Sequence, residues 1–476
     1  AVGINCIQNC TTGVSNTGLG NSALDKVTTG SQNVAIGVNV LQALTTVSNC
    51  TAVGFQAMYA NTTGIQNNAF GYEALYANTT GNYNVAIGNQ TLDANTTGDA
   101  NIAVGTLALT ASTTAHRNVA IGHGALQSNT TASDITAVGY NALNSHTTGY
   151  NNVGVGVSAL EACTTGGNNT ATGYMSMASL TTATENTGYG QRTLLQNSTG
   201  NQNTAIGGGA LQNNTASYNT AVGRDSLINN TTGSNNTAVG RDALNDNTTG
   251  INNTAVGSLA LDALTTAGDN TAVGYNALGA CTTGGDNCAF GDSALGSNLA
   301  SNNVAFGREA LFANTTGTRN TGLGNYTLDA NTTATDNTGV GYNSLGANTT
   351  GTRNTALGSY TLDANSTNSD NTAIGYDALT ASTSHYNTAV GSYAAYACTT
   401  GDQNTAMGYH ALKECTTGTQ NCMIGSFAGR DCSTGDENTC LGDDAAVELT
   451  TGSNNTCIGN GAGRTASPSG SITTGS

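Results

Sequence analysis

The sequence predicts an all-β fold, a parallel β-solenoid, and three observations carry that prediction. A phrase close to Asn-Thr-Ala-Val-Gly-x-x-Ala-Leu, followed by Asn-Thr-Thr-Gly, recurs with a 17-residue period. Its closing glycine falls at Gly3, Gly20, Gly37 and onward to Gly459, making 28 repeats. Internal periods of this length mark stacked arrays rather than ordinary globular domains. Finally, the single proline of the chain is Pro468, beyond the last repeat. Proline removes a ladder donor, so its absence from the array suits uninterrupted sheets.

Each repeat reads as one coil. In 270–274, Asn-Thr-Ala-Val-Gly is a short strand whose side chains alternate between two faces. The residue before the closing glycine is apolar or aromatic in 27 of the 28 repeats, Thr172 being the exception. It is therefore expected inside, with Thr271, while Asn270, Ala272 and Gly274 face out. A second short strand is expected around Ala277-Leu278, since the residue four after the glycine is Leu in 21 repeats. Thr-Thr-Gly then turns the chain, with glycine supplying a positive φ. At ~4.8 Å per coil the array would rise roughly 130 Å. The expected organisation is a repeat array over 1–463 and an irregular segment over 464–476.

One coil is not stable alone. A buried Val and Leu contribute ~3–6 kcal/mol together. Ordering 17 residues costs roughly 17–34 kcal/mol of backbone entropy. Neighbouring coils and other chains must supply the rest. The small outward row predicts a subunit interface at Ala35, Ala52, Ala86, Ala103, Ala255 and Ala272; a second buried layer within the chain is the alternative. The Asn four before the closing glycine is expected to stack as an amide ladder.

Three repeats have 16 residues: Gly207 to Gly223, Gly291 to Gly307 and Gly375 to Gly391. Near the end, Leu gives way to Gly429, Ala446 and Gly463, and cysteines crowd the same coils. Disulfides are expected to staple the thinning core. The candidates are Cys281, Cys288, Cys415, Cys422, Cys440 and Cys457. Cys281 to Cys288 and Cys415 to Cys422 share one spacing across the same turn. Cys440 and Cys457 sit at one position of adjacent coils within bridging reach, and the pairing of the twelve cysteines stays open. They imply an oxidising, extracellular setting. No Cys-x-x-Cys occurs, and His116, His123, His146, His385 and His410 are dispersed, so no metal and no cofactor is expected.

Charge and motifs exclude several functions. Net charge is −17, with only 11 Lys and Arg, which argues against nucleic acid. No run approaches the ~20 apolar residues of a membrane-spanning helix. The chain starts inside a repeat without methionine, as expected of a processed form or a piece of something longer. There is no nucleophile elbow, phosphate loop or His-Glu pairing, so the expectation is not an enzyme. Asp269 and Asp286 stand at equivalent turn positions and read as solvated charge rather than a calcium site. Asn-Thr-Thr or Asn-Ser-Thr sequons occur at Asn61, Asn78, Asn95, Asn129, Asn197, Asn230, Asn247, Asn314, Asn331, Asn348 and Asn365. They are candidate N-glycosylation sites, but turn capping by the same Asn and Thr is the favoured reading, because that spelling serves the turn with or without a sugar. Ice binding would need Thr alternating along a flat strand, whereas these Thr pairs are adjacent and in a turn.

The phrase at 253–261 and 270–278 resembles the head repeats of trimeric autotransporter adhesins of the YadA type. It is also similar to repeats of phage tail fibres and other bacterial surface fibres. The resemblance spans about residues 1–463 and implies a left-handed β-roll with three chains per rod. The period departs from the roughly 14 residues of those heads, and no coiled-coil stalk, membrane anchor or chaperone domain is visible. The expected function is a non-enzymatic extracellular fibre on a cell or virion, a homotrimer contacting a surface glycan or protein receptor. A self-assembling structural filament is the alternative, followed by a carbohydrate-active solenoid enzyme. Specificity would then lie in letters that vary, such as the residue after the glycine: Phe55, Tyr72, Tyr140, Tyr174, Tyr275, Tyr342, Tyr376 and Tyr409.

Overall fold

A computed structural model of the chain describes residues 1–464 and 472–474. It divides into two compact units, Ala1–Asn236 and Thr237–Ser476. Both are parallel β-solenoids built from one three-residue strand per coil, and no helix occurs among the described residues. The first unit carries β1 (Thr17–Leu19) through β13 (Thr220–Val222). The second carries β14 (Thr237–Val239) through β27 (Thr456–Ile458), then β28 (Ile472–Thr474), which pairs with β27. The expected irregular segment 464–476 otherwise lies outside the described residues. Within each unit every strand pairs in parallel with its sequence neighbours, equivalent residue on equivalent residue; Thr254, Ala255 and Val256 face Thr271, Ala272 and Val273.

The strand alternates as expected, but in the opposite phase. The central Ala or Gly is buried, and the flanking Thr and Val are half-buried or exposed. Ala35, Ala52, Ala86, Ala103, Ala255 and Ala272 have no exposed surface within a single chain. They are the inner layer of the coil, and a second chain cannot reach them, so their expected role as a subunit interface is corrected. Space explains the phase. Where glycine replaces this alanine at Gly154, an added Cβ would sit 3.1 Å from Cδ1 of Leu143 in the preceding coil. The strand centre rests on the leucine below it, and a coil this narrow holds one large side chain at that level.

The expected second strand is absent. Around Ala277-Leu278 the backbone alternates instead between right- and left-handed residues, with φ of 53° at both Asn276 and Leu278. The alternation turns peptide groups up and down in succession. Asn276 donates its N–H to Ser258 in the coil before (3.1 Å), and Leu278 donates to Ala294 in the coil after (3.0 Å). The left-handed conformation costs a leucine about 1–2 kcal/mol. Complete burial of its side chain returns about 1.5–3 kcal/mol, so burial prevails.

Glycine is required elsewhere than expected. The Gly of Thr-Thr-Gly, as at Gly64, does not take a positive φ, and alanine fills its place at Ala115. The closing glycine does: Gly274 has φ 136°, and a Cβ there would collide with the carbonyl of Gly291 in the next coil. Close stacking thus keeps this position free of side chains.

The thin core near the C-terminal end is refilled. Where Leu gives way to Gly429, the strand centre becomes Met423, whose thioether occupies the space a Cβ on Gly429 would need. Cys440 and Cys457 stand at the same strand-centre position, fully buried. The volume has moved from one column to the other.

Candidate functional site

The outward strand face of each unit is a long exposed surface. Its first column is mostly Thr and Val, and its second is aliphatic or aromatic. Stacking in register turns those letters into continuous stripes. In the first unit Ile87, Val104 and Ile121 are successive members, and in the second Val256, Val273, Phe290 and Phe306 are. Ile87 and Phe306 are each 41% exposed. Phe290 and Phe306 stack at 4.6 Å with planes 6° apart. Parallel sheets normally have both faces covered, and contiguous exposed apolar stripes mark contact surfaces. The chemistry this face offers is apolar packing.

The sequence signal for this face was present. The strand centre is Ala or Gly in almost every coil, whereas the last strand residue of the repeats is Val, Ile, Leu, Phe, Tyr or Met, with Thr172 the exception. A packed interior does not accept such a range of volumes. Constancy marked the inside, and variation the outside.

Beside the stripe, the two residues after the closing glycine carry exposed rings. In the first unit they form pairs: Phe55 stacks on Tyr72 at 5.4 Å and His123 on Tyr140 at 5.4 Å. In the second they form a run of edge-to-face contacts from Tyr326 to Phe427.

The structure buries the predicted sequon asparagines. Asn61, Asn78, Asn95, Asn129, Asn197, Asn230, Asn247, Asn314, Asn331, Asn348 and Asn365 have no exposed surface. Asn78 donates Nδ2 to Oδ1 of Asn61 (2.9 Å) and to the Gly81 carbonyl (3.0 Å). An amide so buried and engaged leaves no room for a sugar, so the candidate glycosylation sites are set aside and the favoured turn reading stands. The adjacent Thr62 hydroxyl donates to the Thr79 carbonyl at 3.0 Å, lacing the turn from coil to coil. The other Asn column forms the expected ladder. Oδ1 of Asn253 accepts both the backbone N–H (3.1 Å) and Nδ2 (3.2 Å) of Asn270, which also donates to Gly284 (3.0 Å).

All twelve cysteines are free thiols. Cys281 points inward, its Sγ on the Gly284 carbonyl at 3.4 Å, whereas Cys288 opens a strand on the outward face. Cys415 and Cys422 divide in the same way. The shared spacing therefore places its two cysteines on opposite sides of the wall, and the expected staple across that turn is corrected. Cys440 and Cys457 are register partners inside the coil, adjacent as expected but unbonded. Burial pushes the Cys163 thiol up to about 12 and Cys281 to about 11, which leaves both unreactive as nucleophiles.

Charged groups sit outside. Arg117 clasps Asp134 of the next coil through Nε (2.6 Å) and a terminal nitrogen (2.8 Å), holding that carboxylate below its ordinary pKa. Asp269 and Asp286 are exposed, as a solvated turn requires. Among the described residues no group of three or more His, Cys, Asp or Glu is placed to hold a metal. A shallow hollow of about 260 Å³ lies between Arg192, Gln212 and Arg224, without a paired acid and nucleophile.

No family model matches this chain, and no curated protein matches it in sequence. Among the described residues no helix is long and apolar enough to cross a membrane.

Proposed function

We propose that the chain is the shaft or head of a non-enzymatic extracellular fibre, in which three copies run parallel with their outward strand faces turned together. The observation that carries this reading is the exposed aliphatic stripe, repeated coil after coil in each unit. Three copies in the same direction bring equal residues to equal heights, so the stripes meet as one apolar seam. Covering it supplies the second face that a parallel sheet needs. The Asn-Thr-Ala-Val-Gly-x-x-Ala-Leu phrase, similar to that of trimeric surface adhesins, supports the same arrangement. The interface moves from the alanines to Val, Ile and Phe. The fibre holds a binding surface away from a cell or virion and contacts a glycan or protein receptor.

Light scattering on the isolated protein tests it. The expected result is three times the chain mass of 47.4 kDa. The variant Val256→Asp/Val273→Asp/Phe306→Asp is expected to fall to one chain, because three buried like charges would meet at each level. A single-chain mass for the unaltered protein sinks the proposal. Particles that lengthen with concentration support a filament built by end-to-end stacking instead.

A further inference from the structure

The aromatic run of the second unit obeys a rule the fold does not need. Tyr326, Tyr360, Tyr393 and Phe427 are each the second residue after a closing glycine. Tyr342, Tyr376 and Tyr409 are each the first residue after it, in the intervening coils. The two sets alternate along the stack. Successive centroids from Tyr326 to Tyr393 lie 5.4–6.3 Å apart, with planes turned by 69–88°. Rings that share a setting therefore recur every second coil, ~9.6 Å apart. Tyr342, Tyr376 and Tyr409 are 45%, 46% and 48% exposed.

The backbone makes half of these rings expensive. The second residue after the glycine is left-handed throughout, at φ 58° for Tyr326, 57° for Tyr360 and Tyr393, and 55° for Phe427. Other coils fill this position with unbranched and flexible chains such as Gln56, Met175 and Arg192, with leucine at Leu107 and Leu259, or with Asn39, Asn141, Asp242 and Gly209, types that accept left-handed geometry readily. A bulky aromatic does not, and retained strain of this kind points to function. In the first unit the rings stop at isolated pairs.

Polar groups flank the run. Asn343 donates Nδ2 to the half-buried Asp363. Asp377 lies beside Tyr376 and receives the Thr380 hydroxyl at 3.5 Å. Arg308 covers Tyr326 at one end (5.5 Å) and Arg430 covers Phe427 at the other (5.9 Å), each held by its neighbouring acid. Between these ends stand Asp363 and Asp377, while Lys413 is neutralised by Glu414 (2.8 Å), so the net flanking charge is negative and disfavours anionic ligands.

We infer that the strip from Tyr326 to Phe427 binds an extended, uncharged, β-linked polysaccharide. Sugar rings present apolar C–H faces that stack on aromatics. Carboxylate and amide groups alongside accept and donate to the hydroxyls. An extended β-linked chain turns the same sugar face outward once per disaccharide, at nearly the spacing of every second coil. Tyr342, Tyr376 and Tyr409 then match three disaccharide units. This gives the surface-fibre reading its ligand class and rests on that reading only for its biological setting.

Calorimetric titration of the full chain with cellohexaose and with chitohexaose tests the strip, with α-linked maltohexaose as comparator. The expected result is binding of at least one β-linked hexamer and at least tenfold weaker binding of maltohexaose. Tyr342→Ala/Tyr376→Ala/Tyr409→Ala is expected to weaken binding at least tenfold, as loss of stacking platforms does. Phe55→Ala/Tyr72→Ala, in the first unit, is expected to leave it within twofold. All the altered side chains are exposed, and a circular-dichroism melt confirms that each variant folds. The inference fails if neither β-linked hexamer binds, if maltohexaose binds equally, or if the triple-alanine variant binds unchanged. Binding by a protein of single-chain mass upholds the strip while the trimer falls; a trimer that binds neither sugar does the reverse.

Discussion

At the residue scale, the buried column after Ala-Leu shows how one letter sets local stability. Asn dominates it because each side chain answers the one below. The ladder fails where the letter changes. Ser112 follows Asn95, and both the Asn95 Oδ1 and the Ser112 hydroxyl are buried without a partner. His146 occupies the same column, its Nε2 2.7 Å from the Gly149 carbonyl and its Nδ1 unpaired. Burial pushes its pKa below the ordinary value of 6.5, and the carbonyl only partly opposes this. Unfolded His146 therefore binds a proton at a higher pH than folded His146. Stability falls as pH drops from about 6.5 towards the lower folded value. Urea midpoints at pH 7 and pH 5 should show a smaller acid loss in His146→Asn than in the unaltered chain. Equal losses would mean that the imidazole is not held neutral.

At the element scale, the coil separates a rigid part from an adjustable one. The 16-residue repeats keep strand register: Thr204, Ala205 and Ile206 still face Thr220, Ala221 and Val222. The missing residue comes from the Thr-Thr turn. Asn214 reaches the Ala216 carbonyl two residues on (2.8 Å), where Asn78 reaches three residues on to Gly81. Deleting Thr80 should therefore cost under about 1 kcal/mol, as surface-turn changes do. Deleting Ala86 inverts the strand's faces and should cost more than about 3 kcal/mol, in line with the largest single-site effects. Chemical denaturation of the two deletions decides it; equal losses would show that register is not fixed by the strand.

The same contrast explains what could be read beforehand. The period, the parallel strand and the Asn ladder were legible because spacing alone fixes them. The phase was not. Alanine and valine are both apolar, so binary patterning lacks contrast when one must be inside and the other out. The second wall was missed because leucine ordinarily avoids left-handed geometry, and only stacking makes Leu278 accept it. The sequons were ambiguous because the letters that attract a sugar also build a buried turn.

At the scale of the whole molecule, each coil touches little beyond its neighbours, so stability grows by addition. Removing Tyr72–Gly88 joins Gly71 to Asn89 in phase, because both glycines close equivalent strands. The excised protein should fold with a melting temperature within about 5 °C of the original, since only one repeat and one interface are lost. A collapse in melting temperature would show that this coil carries a unique contact. The candidate surfaces belong to this scale too, and they were partly legible. The exposed rings after each closing glycine were visible as varying letters, but their merging into a strip depends on how coils stack.

The Asn ladder has a further consequence, electrical in kind. Cys50 and Ile135 break the ladder; in the rungs where the side-chain amides meet, the later coil donates and the earlier coil accepts, as Asn270 does to Asn253 and Asn84 to Asn67. The amide dipoles therefore add head to tail, much as peptide dipoles add in a helix, although parallel strands by themselves largely cancel. Each unit is thereby a small electret. Its early edge ends in amide oxygens' counterparts, the N–H groups that favour anions at a dipole's positive pole, only where no earlier rung accepts them; its late edge leaves carbonyl oxygens that favour cations. Two such edges attract in one order and repel in the other, so a stack of these coils carries a built-in sense of direction.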